Sequence, residues 1–426
     1  MENQAAIRLI RPWWAVRRQG ASYDDGTPAA VGKRRETMKV YGHHDENTLK
    51  QMDTCMATGS AAAGVLCADG HMGYNHPIGG VVGYTDHISI SGVGFDIACG
   101  NMAVRLDVPA SEVRPNVATI LSDISKVVSF GVGRVNDERV DHDLFDSDLW
   151  KAADVEELKQ KARAQLGTVG SGNHYVDLFE DQSGWTWIGV HFGSRGLGHG
   201  TTTKYLKLAG AKDTMLDPPA LLDVDSDLGR GYLAGIELGG LYAYAGREWV
   251  VERVRQIIGG AVTERVHNHH NFCWRETHKG KDMWVVRKGA TPAFPGQLSF
   301  VGGSMGDDAV ILRGVDNEES KAALYSTVHG AGRVMSRTEA RGRFQKDPDT
   351  GRKIRMPGKV RHDEWQQWLR DRGVSLIGAD LDEAPQAYRR LPDVLHEHRN
   401  TIEIVHTLRP FGVIMAGANE FDPYKD

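Results

Sequence analysis

Gly92-Val-Gly-Phe-Asp-Ile-Ala-Cys-Gly100 sets a carboxylate, Asp96, three residues before a thiol, Cys99, between glycines that let the backbone turn tightly. Such a pair can ligate a borderline-soft divalent ion, and the carboxylate suits manganese well. The same two residues also serve as a turn aspartate and a buried thiol. The stretch therefore gains meaning only from the histidine-bearing, glycine-rich segments that follow it.

Working outward, 81–84 and 101–108 read as strands on either side of this turn. Residues 45–63 read as a helix, and 67–80 as too glycine-rich for a regular element. Helices are expected over 111–128 and 153–166, the second ended by Gly167. A strand over 185–191 runs into a glycine loop. The longest helical pattern covers 238–266, with Leu241, Ala245, Val250, Val254, Ile257 and Ile258 on one face. It ends in His267-Asn-His-His-Asn271. Further strands are expected at 7–14, 283–287, 298–301, 309–313 and 412–416. Helices are expected from Glu318, over 362–371 and over 392–403. Strands and helices mix without βα alternation, which predicts an α+β fold. With no repeat or low-complexity linker, and motifs spread over most of the chain, residues 1–426 read as one large catalytic domain. Residues 1–40 and 418–426 form an extension and a tail of no assigned role.

Three imidazoles join the opening pair as candidate ligands: His174 in Gly172-Asn-His-Tyr, His191 in Val190-His-Phe-Gly-Ser-Arg, and His270 in His269-His-Asn. One thiolate, one carboxylate and three imidazoles fit manganese or zinc, and a single thiolate can bridge two ions. Gly193-Ser-Arg-Gly-Leu-Gly-His, Gly302-Gly-Ser-Met-Gly and Gly330-Ala-Gly-Arg offer free N–H groups with little bulk, as phosphate cradles do. None is a Walker loop or a strand-following GxGxxG. Arg195, Arg287, Lys288 and Arg333 flank these segments as phosphate partners. His329, beside a glycine loop, is placed to attack phosphorus; a helix-terminal histidine is the plain alternative.

The net charge of −5 argues against bulk binding of nucleic acid, yet residues 329–361 carry ten Lys/Arg against three acids, a local +7. That strip reads as a phosphate-tracking surface or as a solvated loop. Four cysteines without paired spacing suggest reduced thiols and a cytoplasmic location. No apolar run is long enough to predict a membrane span.

Assembled, these segments resemble the RtcB family, the GTP-dependent RNA-splicing ligases that join 3′-phosphate to 5′-hydroxyl ends. The resemblance runs from about residue 68 to 416. It includes Asp69-Gly-His, Pro77-Ile-Gly-Gly, the opening stretch, Gly172-Asn-His, His191-Phe-Gly-Ser-Arg, His269-His-Asn271, Arg287-Lys-Gly-Ala-Thr291, Gly303-Ser-Met-Gly306, His329-Gly-Ala-Gly-Arg333 and Asp382-Glu-Ala-Pro-Gln-Ala-Tyr388. It implies that Asp96, Cys99, His174, His191 and His270 hold two Mn ions, with Cys99 shared. It implies that His329 takes GMP from GTP through a phosphoramidate. The nucleotide pocket would comprise Asn173, Asp177, Ser304, Gly330, Ala331, Gly332, Arg333 and Tyr388. Asp69, Arg195, Arg287, Lys288 and Arg337 would contact RNA or phosphate. Implied partners are GTP and RNA with broken or spliced ends, such as tRNA halves; an activating protein is allowed for. A 2′,3′-cyclic phosphate end would be opened before joining.

Two departures concern the base pocket. Asp177 stands where the family usually has Glu, and the family's lysine before the near-terminal glycine is absent from Val413-Ile-Met-Ala-Gly417, which directs attention to Ala416. Competing readings are a metal-dependent phosphodiesterase or phosphatase using the same ligands, and a non-catalytic RNA-binding paralogue.

Overall fold

The computed structural model describes residues 38–417 apart from 213 and 216, so the strand expected at 7–14 and the 418–426 tail lie outside the described residues. Two sheets carry the architecture. The smaller aligns Met38–Val40, Ala61–His71, Ile78–Tyr84, Lys281–Lys288 and Asn271–His278, with only Met38–Val40 parallel to its neighbour. The larger aligns Leu298–Val301, Ala309–Gly314, Ile402–Gly417, Tyr175–Asp181, Trp185–Phe192, Gly100–Pro109 and Val262–His269, all antiparallel. Ser375–Ala379 joins Ile402–Gly417 in parallel.

The larger sheet curls until its outer strands nearly meet. There the Phe300 N–H donates to the Asn268 side chain at 3.0 Å, and Asn101 donates to the Phe300 carbonyl at 2.8 Å. Side-chain amides thus satisfy backbone groups that a closed ladder would otherwise pair. The chain leaves the larger sheet for the smaller at His270, between Val262–His269 and Asn271–His278.

Helices cover the outer face of the larger sheet. The long one, Asp227–Ile258, starts where the Ser226 side chain accepts from the Gly229 N–H. Its Val250, Val251 and Val254 pack with Ile188, Val190 and Phe192 of the sheet in one apolar cluster. This helix begins earlier and ends sooner than its apolar periodicity suggests. Gly259 and Gly260 both take positive φ and stop it, and Val262–His269 becomes a strand, as its β-branched residues favour.

The α+β class stands, with local corrections. The helix expected over 45–63 is Glu46–Met56, because Ala61–His71 pairs as a strand despite its four alanines and extends into the stretch read as irregular. The helix over 111–128 is broken into Ala110–Val113, the 3-10 turn Arg114–Asn116 and Val117–Val127, since Pro115 lacks an N–H. The 153–166 helix shortens to Lys159–Gln165 after the 3-10 turn Glu156–Leu158, and the 392–403 helix to Leu391–Glu397. The C-terminal strand runs the full Ile402–Gly417.

Candidate metal centre and nucleotide cavity

Strand register gathers the candidate ligands. Gly100 lies opposite Phe192 in one ladder and His269 in the other, so Cys99, His191 and His270 meet at one end of the larger sheet. The His270 N–H donates to the Cys99 carbonyl at 2.8 Å. Tyr175 faces His191 in the next ladder, which carries His174 to the same end. The opening stretch folds into a tight turn, with the Cys99 N–H on the Asp96 carbonyl at 3.0 Å and Ala98 at φ 60°. Gly193 makes room for Asp96: a Cβ there would stand 2.1 Å from Asp96 Oδ1.

Two donor sets result, Cys99 with His191 and His270, and Asp96 with Cys99 and His174, each with its ligand atoms within 4.8 Å of one another. Cys99 Sγ lies 3.6 Å from His174 Nε2 and 3.5 Å from His191 Nε2. Sulfur and nitrogen on one tetrahedral ion, at about 2.3 and 2.1 Å, stand roughly 3.6 Å apart. The spacing therefore fits an ion between them. His174 Nδ1 is held by the Val169 carbonyl at 3.1 Å and His191 Nδ1 by Asn101 Oδ1 at 2.6 Å, which turns both Nε2 atoms inward. His270 Nδ1 is buried without a hydrogen bond among the described residues.

The electrostatics agree with the geometry. Burial, then neighbouring charged groups, hold His191 and His270 well below the ordinary imidazole value, so both are neutral donors. Burial and the Asp96 charge push the Cys99 thiol well up. Burial also raises Asp96, but the His174 hydrogen bond and charge, helped by Arg195, outweigh it and bring the carboxyl to about 2. A divalent cation is what would keep this buried sulfur as thiolate.

His329 stands beside this cluster, its ring centroid 5.0 Å from that of His270. It follows the strand Ser326–Val328, which pairs with Ala290–Pro292 just after Lys288. Asp69 Oδ2 receives His329 Nδ1 at 2.6 Å, the His329 backbone N–H at 3.0 Å and the Gly330 N–H at 3.3 Å. Burial raises the Asp69 carboxyl, and the charge and hydrogen bonds of His329 outweigh this to leave it below its ordinary value. With Nδ1 donating to a carboxylate, Nε2 carries the lone pair. Asp69, expected on RNA or phosphate, is fully buried and orients the histidine instead.

A cavity of ≈ 670 Å³ joins these groups. Asp96, Cys99, His191, His270 and His329 line it. So do Asn173, Asp177, Ser304, Tyr388, the Gly330–Arg333 loop, Lys288 and Arg337. His174 lies behind Asp96, and Arg195 behind His174, its guanidinium 3.3 Å from Nδ1. Arg287 is a correction. It is fully buried, forks onto Glu276 at 2.6 and 3.1 Å, and is absent from the cavity wall, so it holds the smaller sheet together. Arg333 donates to Tyr388 Oη and the Asp382 carbonyl, both at 2.8 Å, and Arg337 pairs with Asp382 and Glu383. Lys288 Nζ donates to the Tyr74 carbonyl at 2.9 Å.

Elsewhere on the cavity wall, Asp177 Oδ1 and Tyr175 Oη are buried with no hydrogen bond among the described residues. Burial pushes the Asp177 carboxyl well above its ordinary value. Val413 and Met415 lie opposite Asp177 and Tyr175 in the ladder and line the cavity with them. Ala416, singled out from the sequence, does not line it; the two-residue alternation of a strand turns Met415 toward the pocket and Ala416 away. Tyr175, Met415 and Asn101 are not among the site residues expected from the sequence, and strand pairing brings them to the cavity.

The family model for tRNA-splicing ligase RtcB matches residues 51–156 and 147–416. The chain is 30% identical over 375 residues to RNA-splicing ligase RtcB of Escherichia coli K12, covering 80% of this chain and 87% of that one. It is 31% identical to tRNA-splicing ligase RtcB of Archaeoglobus fulgidus, over 83% and 88% of the two chains. With tRNA-splicing ligase RtcB of Nanoarchaeum equitans it shares 27% identity over 94% and 97%. The protein is a member of the RtcB family.

Proposed function

We propose that the chain, as one ligase domain, is an RNA ligase that seals 3′-phosphate or 2′,3′-cyclic phosphate ends to 5′-hydroxyl ends in tRNA splicing or RNA repair. It uses GTP and two Mn ions and acts in the cytoplasm, with an activating protein as an allowed partner. The observation that carries this reading is His329, held from behind by Asp69, on the wall of a cavity that it shares with four of the five metal-type donors, Asp96, Cys99, His191 and His270.

In this reading, Nε2 of His329 attacks the α-phosphorus of GTP, forming a P–N bond as the bond to pyrophosphate breaks. Asp69 keeps the proton on Nδ1 and offsets the positive charge that the ring gains. Asp96, Cys99, His174, His191 and His270 hold the ions; when bound, these neutralise phosphate charge and align the reacting oxygens. The RNA 3′-phosphate next takes GMP from His329, breaking the P–N bond, and the 5′-hydroxyl displaces GMP to complete the join. Asn173, Ser304 and the Gly330–Arg333 loop cradle the nucleotide, and the base end enters between Asp177 and Met415. Lys288 and the basic segment after Arg337 meet the RNA.

Incubation with α-labelled GTP and Mn, followed by denaturing electrophoresis, tests the proposal. An acid-labile label on the wild type, absent from His329→Ala, is expected. RNA consumed without a labelled protein would favour the hydrolase reading instead.

A further inference from the structure

Arg247 lies on the Asp227–Ile258 helix with its side chain fully buried. Buried cations are ordinarily paired with acids, yet among the described residues this guanidinium makes no ion pair. Its donors are used differently. Nη1 donates to the Phe192 carbonyl at 2.6 Å and the Ala98 carbonyl at 3.1 Å, Nη2 contacts His269 Nδ1 at 2.9 Å, and Nε donates to His267 Nε2 at 2.8 Å.

Three of these four acceptors belong to residues that adjoin a candidate ligand in the chain. Ala98 precedes Cys99, Phe192 follows His191, and His269 precedes His270. The ladders that join these strands end at Gly100–Phe192 and Gly100–His269. Cys99 and His270 thus lie just past the last rung, where the regular ladder has given way to single backbone bonds such as that from the His270 N–H to the Cys99 carbonyl. A planar fork of five donors can hold several acceptors at once in fixed directions, which a lysine ammonium cannot.

We propose that Arg247 is a positioning residue for the Cys99, His191 and His270 donor set, clamping from behind the three chain segments that present them. The proposal rests on the metal-centre reading above, and its test separates the two. Cobalt(II) serves as probe, because its d–d bands and its thiolate charge-transfer band report ligand geometry independently of ligation. Arg247→Lys keeps the charge and loses the fork. In protein shown to be folded by its melting curve, it should bind cobalt ~10–100-fold more weakly, as loss of a partner behind a ligand generally does, with displaced d–d bands. His269→Gln alters the acceptor on the His270 segment alone and should give a smaller weakening with a shifted spectrum.

Folded Arg247→Lys with wild-type affinity and bands would overturn the proposal. If that variant does not fold, His269→Gln decides, and an unchanged affinity and spectrum there overturns it equally. A wild type that binds no cobalt would refute the metal centre itself, and this inference with it.

Discussion

Replacing Asp69 by Asn is the most direct probe of His329 as the proposed nucleophile. One oxygen, Oδ2, receives three N–H groups from His329 and Gly330, at 2.6, 3.0 and 3.3 Å, in a fully buried setting. An amide of the same shape can serve the two backbone donors or the ring, but it cannot bring a negative charge. It can also present its NH₂ to Nδ1, which moves the ring proton to Nε2 and removes the attacking lone pair. A charge-assisted hydrogen bond contributes about 1.5–3 kcal/mol. Losing one, together with tautomer control, amounts to about 3–5 kcal/mol, a slowing of roughly 10²–10⁴-fold. The assay is the single-turnover rate of acid-labile label appearing on the protein from α-labelled GTP. Metal content is measured alongside, since Asp69 belongs to neither donor set. Asp69→Asn that keeps its metal and labels at the wild-type rate would show that the carboxylate does not activate His329.

Three other outcomes are expected. Because the Asp177 carboxyl is raised by burial, its stabilising neutral form is complete below the ordinary value of 3.8 and is lost as pH rises through the higher folded value. Asp177→Asn should therefore melt higher than wild type at pH 8, with the gain shrinking toward pH 4; an equal gain at both would refute the raised carboxyl. Met415→Lys faces the pocket and should increase preference for GTP over ATP in adduct formation by ~10–100-fold, the equivalent of one charge-assisted bond. Ala416→Lys should not, and equal effects would contradict the strand register. Arg343, Lys346 and Arg352 are exposed around the Phe344–Lys346 and Lys353–Arg355 hairpin. Changing all three to Gln should lower the slope of log affinity for single-stranded RNA against log salt by ~0.7 for every phosphate no longer neutralised. GMP attachment should persist, and an unaltered slope would make the hairpin a solvated loop.

Motif chemistry was legible in one dimension because each motif places its side chains within a few residues of a turn. The Asp96–Cys99 turn, the histidines before or at strand ends, and the His329 glycine loop are local arrangements, and strand register brings them together at the cavity. The α+β class was equally legible, since period-2 and period-3.6 patterns alternate without βα order. What the sequence could not determine depends on partners that strand pairing brings together, some of them hundreds of residues away. Asp69 reads as a loop carboxylate until the strand Ala61–His71 carries it under His329, 260 positions later. Arg287 reads as a phosphate ligand until Glu276, on the neighbouring strand of its hairpin, pairs with its guanidinium and closes it off. Met415 rather than Ala416 faces the pocket because pairing with Tyr175–Asp181 sets which alternate residues point inward, and a one-residue slip would reverse every one of them. Local sequence determined which chemical groups are present and how the backbone turns around them; tertiary structure decided which of those groups meet, because long-range pairing alone sets the facing side, the burial and the charge beside each one.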